Sequence, residues 1–84
     1  MRHFASPRFW AAYAVLPASV RSLADANFAL LKRDSRHPSL QFKKVGRYWS
    51  ARVGLRYRAL AVETDGGYLW FWIGSHADYD RLIG

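Results

Sequence analysis

A histidine, a tyrosine and two aspartates follow an aromatic segment near the carboxyl end of the chain. Residues 70–75 read WFWIGS, a pattern typical of a buried strand, and they are followed by His76, Asp78, Tyr79 and Asp80. A strand end holds a side chain rigidly, and an unperturbed histidine exchanges protons near neutral pH. His76 is therefore a candidate general acid or base, and Tyr79 could stack on a nucleobase or assist proton transfer. The structural alternatives are that His76 caps the last helix and that Tyr79 packs this helix onto the sheet.

Three arginines, Arg52, Arg56 and Arg58, lie shortly upstream on a segment that reads as a hairpin. Arg58 is predicted to share a strand face with Leu60 and Val62, and an arginine on an apolar face requires an anionic partner. We interpret Arg58 as a clamp for a negatively charged transition state and Arg52 as a phosphate ligand. The alternative is a salt bridge from Arg58 to one of three acids: Glu63, Asp78 or Asp80.

The length of the hairpin loop decides where these arginines point. A three-residue loop, 54–56, pairs Val53 with Tyr57 and places Arg52 directly opposite Arg58, where the two charges repel unless an anion lies between them. A two-residue loop sends Arg58 to the opposite face of the sheet. We predict the three-residue loop, because it accounts for both arginines. Arg52, Arg58 and His76 should then converge on one open, concave face away from the helices.

Positive charge is concentrated in the middle of the chain. Thirteen basic residues oppose six acidic ones, for a net charge of +7; nine of the basic residues lie between positions 32 and 58, where Asp34 is the one acid. Aromatic residues are interleaved with them, as on surfaces that bind single-stranded nucleic acid. The distribution favours a polyanionic partner, either nucleic acid or an acidic protein segment, and Lys43, Lys44 and Arg56 are the candidate contacts to RNA. The alternative is a solvated surface that keeps a small protein soluble.

The composition limits the other classes of site and location. The chain has no cysteine, and His3, His37 and His76 are widely separated. We therefore expect no disulfide, no metal and no cofactor. No apolar segment reaches the roughly 18 residues of a membrane span, and the amino terminus lacks the pattern of a signal peptide. The expectation is a single domain over residues 1–84, located in the cytoplasm, with no membrane partner.

The hydrophobic pattern predicts an α+β fold: two N-terminal helices packed on one face of a four-stranded, mostly antiparallel sheet, with a short C-terminal helix. Ser6-Pro7 is a typical helix start, and a second helical stripe begins at Ser19 and ends at about Asp34. Strands are then indicated at 40–45, 49–53, 57–64 and 68–73, followed by a helical turn or two at 77–83. Asp65-Gly66 signals a two-residue hairpin. Phe71 and Trp72 should both be buried, one toward each face of a central strand.

Four segments, in this order and at this spacing, resemble the RelE/ParE superfamily of bacterial type II toxins. They read SLQFKKV at 39–45, WSARV at 49–53, YRAL at 57–60 and WIGSHADY at 72–79. The resemblance implies a toxin that is neutralised by a small antitoxin. Its RelE-like branch comprises ribosome-dependent endoribonucleases, whereas its ParE-like branch acts on DNA gyrase and lacks the nuclease residues. The chain departs from the family in two ways: the short first strand is not predicted, and Ser50 and Arg52 stand where the second strand is rich in lysine.

Two functions follow from the residues and the resemblance together. The first is a RelE-type endoribonuclease that cleaves mRNA on the ribosome by metal-independent acid–base chemistry, with His76, Arg58 and Arg52 as catalytic residues. The second is a toxin-like binding module without nuclease activity, either directed at gyrase or simply bound by an antitoxin.

Overall fold

A computed structural model of the chain describes residues 2–84 and contains five strands, three helices and one 3₁₀ turn. In chain order these are β1 (Arg2–Ala5), α1 (Pro7–Ala14), α2 (Ala18–Arg33), the 3₁₀ turn (Pro38–Leu40), β2 (Lys43–Val45), β3 (Tyr48–Val53), β4 (Tyr57–Thr64), β5 (Gly67–Ser75) and α3 (His76–Ile83). None of these helices has the length and apolar character required to cross a bilayer.

The strands form one mixed sheet in the order β1-β5-β4-β3-β2. The predicted antiparallel pairing of the last four strands is confirmed, but the prediction of only four strands, without the short first strand, is wrong. β1 pairs with β5 in parallel, with His3 opposite Tyr68. Four residues are too few to show an alternating pattern in the sequence. The strand is recognised only by its backbone pairing with β5.

Local signals set the ends of the two N-terminal helices as predicted. The Ser6 side chain accepts a hydrogen bond from the Phe9 backbone N–H (3.2 Å), and Pro7 occupies the first turn of α1. The second helix, α2, ends at Arg33, where Lys32 and Arg33 place positive charge at the negative end of the helix dipole.

The segment between α2 and β3 differs from the prediction of one strand over 40–45. Residues 38–40 form the 3₁₀ turn, and Gln41 then adopts a left-handed conformation, with φ 43°. A left-handed residue interrupts an extended chain, so β2 is shortened to Lys43–Val45. The two-residue connection at Asp65-Gly66 is confirmed, since β4 ends at Thr64 and β5 begins at Gly67.

The main core lies between the sheet and the first two helices. Leu16, Ala24 and Leu31 from the helical segments pack with inward-facing residues of the sheet, which include Ala51, Val53, Ala59, Ala61, Tyr68, Trp70 and Ile73. The opposite face of the sheet is covered in part by α3, because Tyr79 of this helix packs on the guanidinium of Arg58. The fold therefore has three layers, with α3 on the face away from α1 and α2.

A bulge in β5 overturns the expected orientation of Phe71 and Trp72. Trp70 pairs with Ala61 and Trp72 with Leu60, so Phe71 is left as an extra residue between them. The Phe71 ring packs 5.4 Å from Tyr48 on the face away from α1 and α2, which is also the face that carries Leu60 and Trp72. Both side chains are half-buried on one face, because an inserted residue shifts the alternation of the strand.

His3 makes the stability of the fold depend on pH. Its Nδ1 accepts a hydrogen bond from the Trp70 indole N–H (3.0 Å), and its ring stacks on Tyr68. Burial lowers the pKa of His3 below its usual 6.5, and nearby positive charges, Lys32 among them, lower it further. Since the folded state favours the neutral ring, this contribution is fully present above about pH 6.5 and is lost as pH falls from there toward the folded pKa.

We therefore expect the urea midpoint of the wild type to fall between pH 7.5 and pH 5, and the His3→Phe variant to show a smaller fall. Comparing the two removes the pH dependence that both proteins have in common. An equal fall in both proteins would contradict the assignment to His3.

Candidate functional site

The β3–β4 hairpin places Arg52 and Arg58 opposite each other. Val53 pairs with Tyr57 and Arg52 with Arg58, which confirms the predicted three-residue loop. Both arginines alternate with core residues, so they lie on the face of the sheet away from α1 and α2. The loop requires Gly54, whose φ is +66° and whose missing Cβ would meet Leu23 Cδ2 at 2.7 Å.

Arg58 is buried, with only 7% of its surface exposed, and its partners are neutral. Nη1 donates to Ser50 Oγ (3.1 Å), and Nη2 donates to Gln41 Oε1 (2.9 Å). The guanidinium carbon lies 5.2 Å from the centre of the Tyr79 ring, an arrangement in which the ring attracts the cation.

The alternative of a salt bridge to Glu63, Asp78 or Asp80 is wrong. Each acid has another partner: Glu63 accepts from the Trp49 indole N–H, Asp78 pairs with Arg81, and Asp80 pairs with His76. In residues 2–84 no carboxylate lies within salt-bridge distance of Arg58.

One donor of Arg58 has no partner at all. Nε is the single buried side-chain nitrogen or oxygen in residues 2–84 that makes no hydrogen bond. Leaving a buried donor unpaired costs about 1–3 kcal/mol, and more for a charged group. A buried cation with an unpaired donor is a suitable site for an oxygen of a phosphate or carboxylate.

His76 directly follows the last residue of β5, Ser75, and is the first residue of α3. Its side chain is therefore positioned by the helix. Its backbone N–H donates to the Arg56 carbonyl (2.7 Å), and its ring Nδ1 lies 3.2 Å from Asp80 Oδ2. A carboxylate only accepts hydrogen bonds, so Nδ1 carries the proton in this contact and Nε2 of the neutral ring is the acceptor. With 47% of the side chain exposed, the ring is accessible to a bound molecule.

Tyr79 connects the two parts of the site. Its ring centre is 5.5 Å from that of the His76 ring and 5.2 Å from the guanidinium carbon of Arg58. Only 5% of Tyr79 is exposed, so the packing alternative is confirmed. So small an exposed area does not favour stacking of this ring on an RNA base, and a part in proton transfer stays a prediction.

The structure separates the two lysines that were predicted to contact RNA. Lys43 pairs with Ser50 and therefore shares the face of Arg52 and Arg58, whereas Lys44 pairs with Trp49 and lies on the opposite face. Arg56 is exposed in the loop, next to the start of α3. Lys43, Arg52 and Arg58 thus share one face of the sheet, the face on which α3 packs.

Three residues of the site were not identified from the sequence. Ser50 and Gln41 hold the guanidinium of Arg58, and Gly74 lies opposite Arg58 in β5. A Cβ at Gly74 would collide with the indole of Trp72, so glycine allows this ring to lie along the sheet next to the site. Ser50 stood out only as a departure from the lysine of related toxins, and Gln41 carried no signal.

No group of three or more His, Asp or Glu side chains within residues 2–84 is arranged to hold a metal ion.

Two comparisons with known proteins, one of sequence and one of structure, gave matches. The family model for the ParE-like toxin domain matches residues 18–81. The fold is similar to that in a solved structure, the RelB–RelE antitoxin–toxin complex from Methanococcus jannaschii, with a TM-score of 0.74 and 13% identity. The alignment covers 96% of this chain and 99% of the matched chain. A search of curated proteins gave no match.

Proposed function

The chain belongs to the ParE-like toxin domain family of the RelE/ParE superfamily, and we propose that it is an antitoxin-neutralised toxin that cleaves mRNA on the ribosome. The observation that carries this proposal is Arg58, a buried cation without a carboxylate partner, opposite a second arginine and joined through Tyr79 to His76. An antitoxin partner is supported by the similar fold of a toxin solved in complex with its antitoxin. Binding to ribosomes implies a cytoplasmic location.

The chemistry is attack of a ribose 2′-oxygen on the adjacent phosphorus. The new bond joins the 2′-oxygen to phosphorus, the bond from phosphorus to the 5′-oxygen breaks, and the products are a 2′,3′-cyclic phosphate and a 5′-hydroxyl. One proton leaves the 2′-hydroxyl and another reaches the 5′-oxygen. The phosphorane-like transition state carries extra negative charge, which requires positive groups nearby.

The residues of the site suit these roles. Neutral His76 can take a proton at Nε2, and the protonated ring can donate one, so it serves one of the two proton transfers. Asp80 keeps the ring in the required tautomer. Arg52 and Arg58 provide the positive charge at the phosphate, and Lys43 and Arg56 extend the same positive surface along an RNA backbone.

A second candidate function is a toxin-like binding module, directed at gyrase or held by an antitoxin without nuclease activity. Two observations favour it. The matching family model is ParE-like, and Arg58 is covered by Tyr79 and Gln41 rather than open to solvent.

Induced expression distinguishes the two functions. The nuclease predicts growth arrest with new mRNA 5′ ends that appear only when ribosomes occupy the message, and unchanged plasmid supercoiling. Growth arrest with altered supercoiling and intact mRNA would support the gyrase-directed module instead. Co-expression of the acidic product of an adjacent reading frame should restore growth in either case.

The neighbouring lysines allow a matched test of the RNA-binding surface. Affinity for a short single-stranded RNA should fall with salt, by about 0.7 log units per log unit of salt for each phosphate contact. Lys43→Gln should reduce that slope by about 0.7, the value for one phosphate contact. Lys44→Gln, on the opposite face, should leave the slope unchanged. Filter binding at a series of salt concentrations measures the slopes. Equal slopes for the two variants would exclude this face as the RNA surface.

A further inference from the structure

Gln41 holds an unusual backbone conformation where it contacts the site. It is the one residue other than glycine in residues 2–84 with a positive φ, a conformation that is unfavourable for a residue with a Cβ. Its backbone N–H donates to the Pro38 carbonyl (3.2 Å), and its side-chain oxygen accepts from Arg58 Nη2. Strained residues that persist are held by their surroundings, and they cluster at ligand-binding sites.

The contacts of Arg58 leave one edge of its guanidinium with a donor that is buried and unpaired. Nη1 donates to Ser50, which is completely buried, and the Tyr79 ring lies 5.2 Å from the guanidinium carbon. Nε and Nη2 project along one edge of the group, in the geometry that binds two oxygens of a phosphate or carboxylate. Of these two donors, Nη2 binds the neutral amide of Gln41 and Nε is unpaired. The edge is therefore half occupied.

We propose that the Gln41 carboxamide is a displaceable internal ligand, which occupies half of an oxyanion site on the Nε–Nη2 edge of Arg58 until a phosphate replaces it. Gln41 is exposed and lies at the junction between the 3₁₀ turn and β2, so its side chain can swing into solvent. The exchange is favourable because a phosphate pairs two ionised groups and can accept from both Nε and Nη2, whereas the neutral amide of Gln41 accepts from Nη2 alone. Gln41 thus acts as a positioning residue that keeps Arg58 ordered and protected in the absence of the anion.

The proposal rests on the proposed function only for the source of the phosphate, which in the nuclease would be the RNA backbone. Inorganic phosphate has the same oxygens and is the probe for the site itself. A short RNA that competes with inorganic phosphate identifies the backbone as the second source.

Two substitutions of Gln41 test the proposal in opposite directions. Gln41→Glu places a carboxylate on the same edge, so it should raise the melting temperature without phosphate and weaken phosphate binding at least tenfold. Gln41→Gly removes the internal ligand and the backbone strain, so it should bind phosphate several-fold more tightly than the wild type. Ser22→Glu is the control for Gln41→Glu: it adds the same negative charge on an exposed part of α2 and should leave phosphate binding unchanged.

The measurements are the phosphate dependence of the melting temperature at constant ionic strength and the NMR signal of the Arg58 Nε–H. This signal, assigned by its loss in Arg58→Lys, should shift with phosphate in the wild type and in Gln41→Gly, but not in Gln41→Glu. Phosphate binding that is equal in the wild type and Gln41→Glu, or absent from both the wild type and Gln41→Gly, would overturn the proposal. If phosphate binds as expected but RNA does not compete, the role of Gln41 stands and the nuclease loses support.

Discussion

Replacing His76 with alanine should reduce ribosome-dependent mRNA cleavage by about 10²–10⁴-fold, the usual contribution of a general acid or base. The folded protein should be little affected, because the side chain is half exposed and its pair with Asp80 is a surface contact between residues four apart, worth only about 0.3–0.5 kcal/mol. Single-turnover cleavage on programmed ribosomes measures the rate, and thermal unfolding confirms the fold.

Two further variants separate proton transfer from positioning. His76→Gln can still hydrogen-bond to Asp80 but cannot transfer a proton at neutral pH, so it should be as inactive as the alanine variant. Arg81→Ala removes an exposed residue of the same helix and should retain wild-type activity. If His76→Gln keeps most of the activity, histidine serves in positioning and not in proton transfer.

Replacing Trp70 with alanine should lower the free energy of unfolding by about 3–5 kcal/mol, a large part of the stability of a small domain. Trp70 is 4% exposed, and its indole N–H donates to His3 of β1. Its ring also packs 6.0 Å from Phe42. The substitution therefore removes a large apolar surface and a link between the edge strand and the core.

Chemical denaturation of three tryptophan variants tests this assignment. Trp70→Phe keeps an aromatic ring but loses the hydrogen bond to His3, so it should lie between the wild type and Trp70→Ala. Trp10→Ala removes an exposed indole and should cost much less. If both alanine variants, Trp70→Ala and Trp10→Ala, lost the same free energy of unfolding, burial of Trp70 would not be what stabilises the fold.

The sequence determined the features that depend on neighbouring residues. Ser6 and Pro7 start α1 because the cap and the missing N–H act within one turn. The three-residue loop at 54–56 was predicted because it accounts for both arginines. The structure confirms this loop, with Gly54 at a positive φ and Arg52 opposite Arg58. The shared face of the two arginines could therefore be predicted, because strand alternation and loop length together set the register.

Only the tertiary structure decided which surfaces cover these residues. Pairing with β5 defines β1, the bulge at Phe71 turns two aromatic side chains to one face, and α3 folds over the sheet so that Tyr79 covers Arg58. Gln41 reaches Arg58 only because the 3₁₀ turn delivers it in a left-handed conformation. Each of these contacts joins elements that are distant along the chain or depends on an irregular backbone. Periodicity over a few residues predicts neither of these.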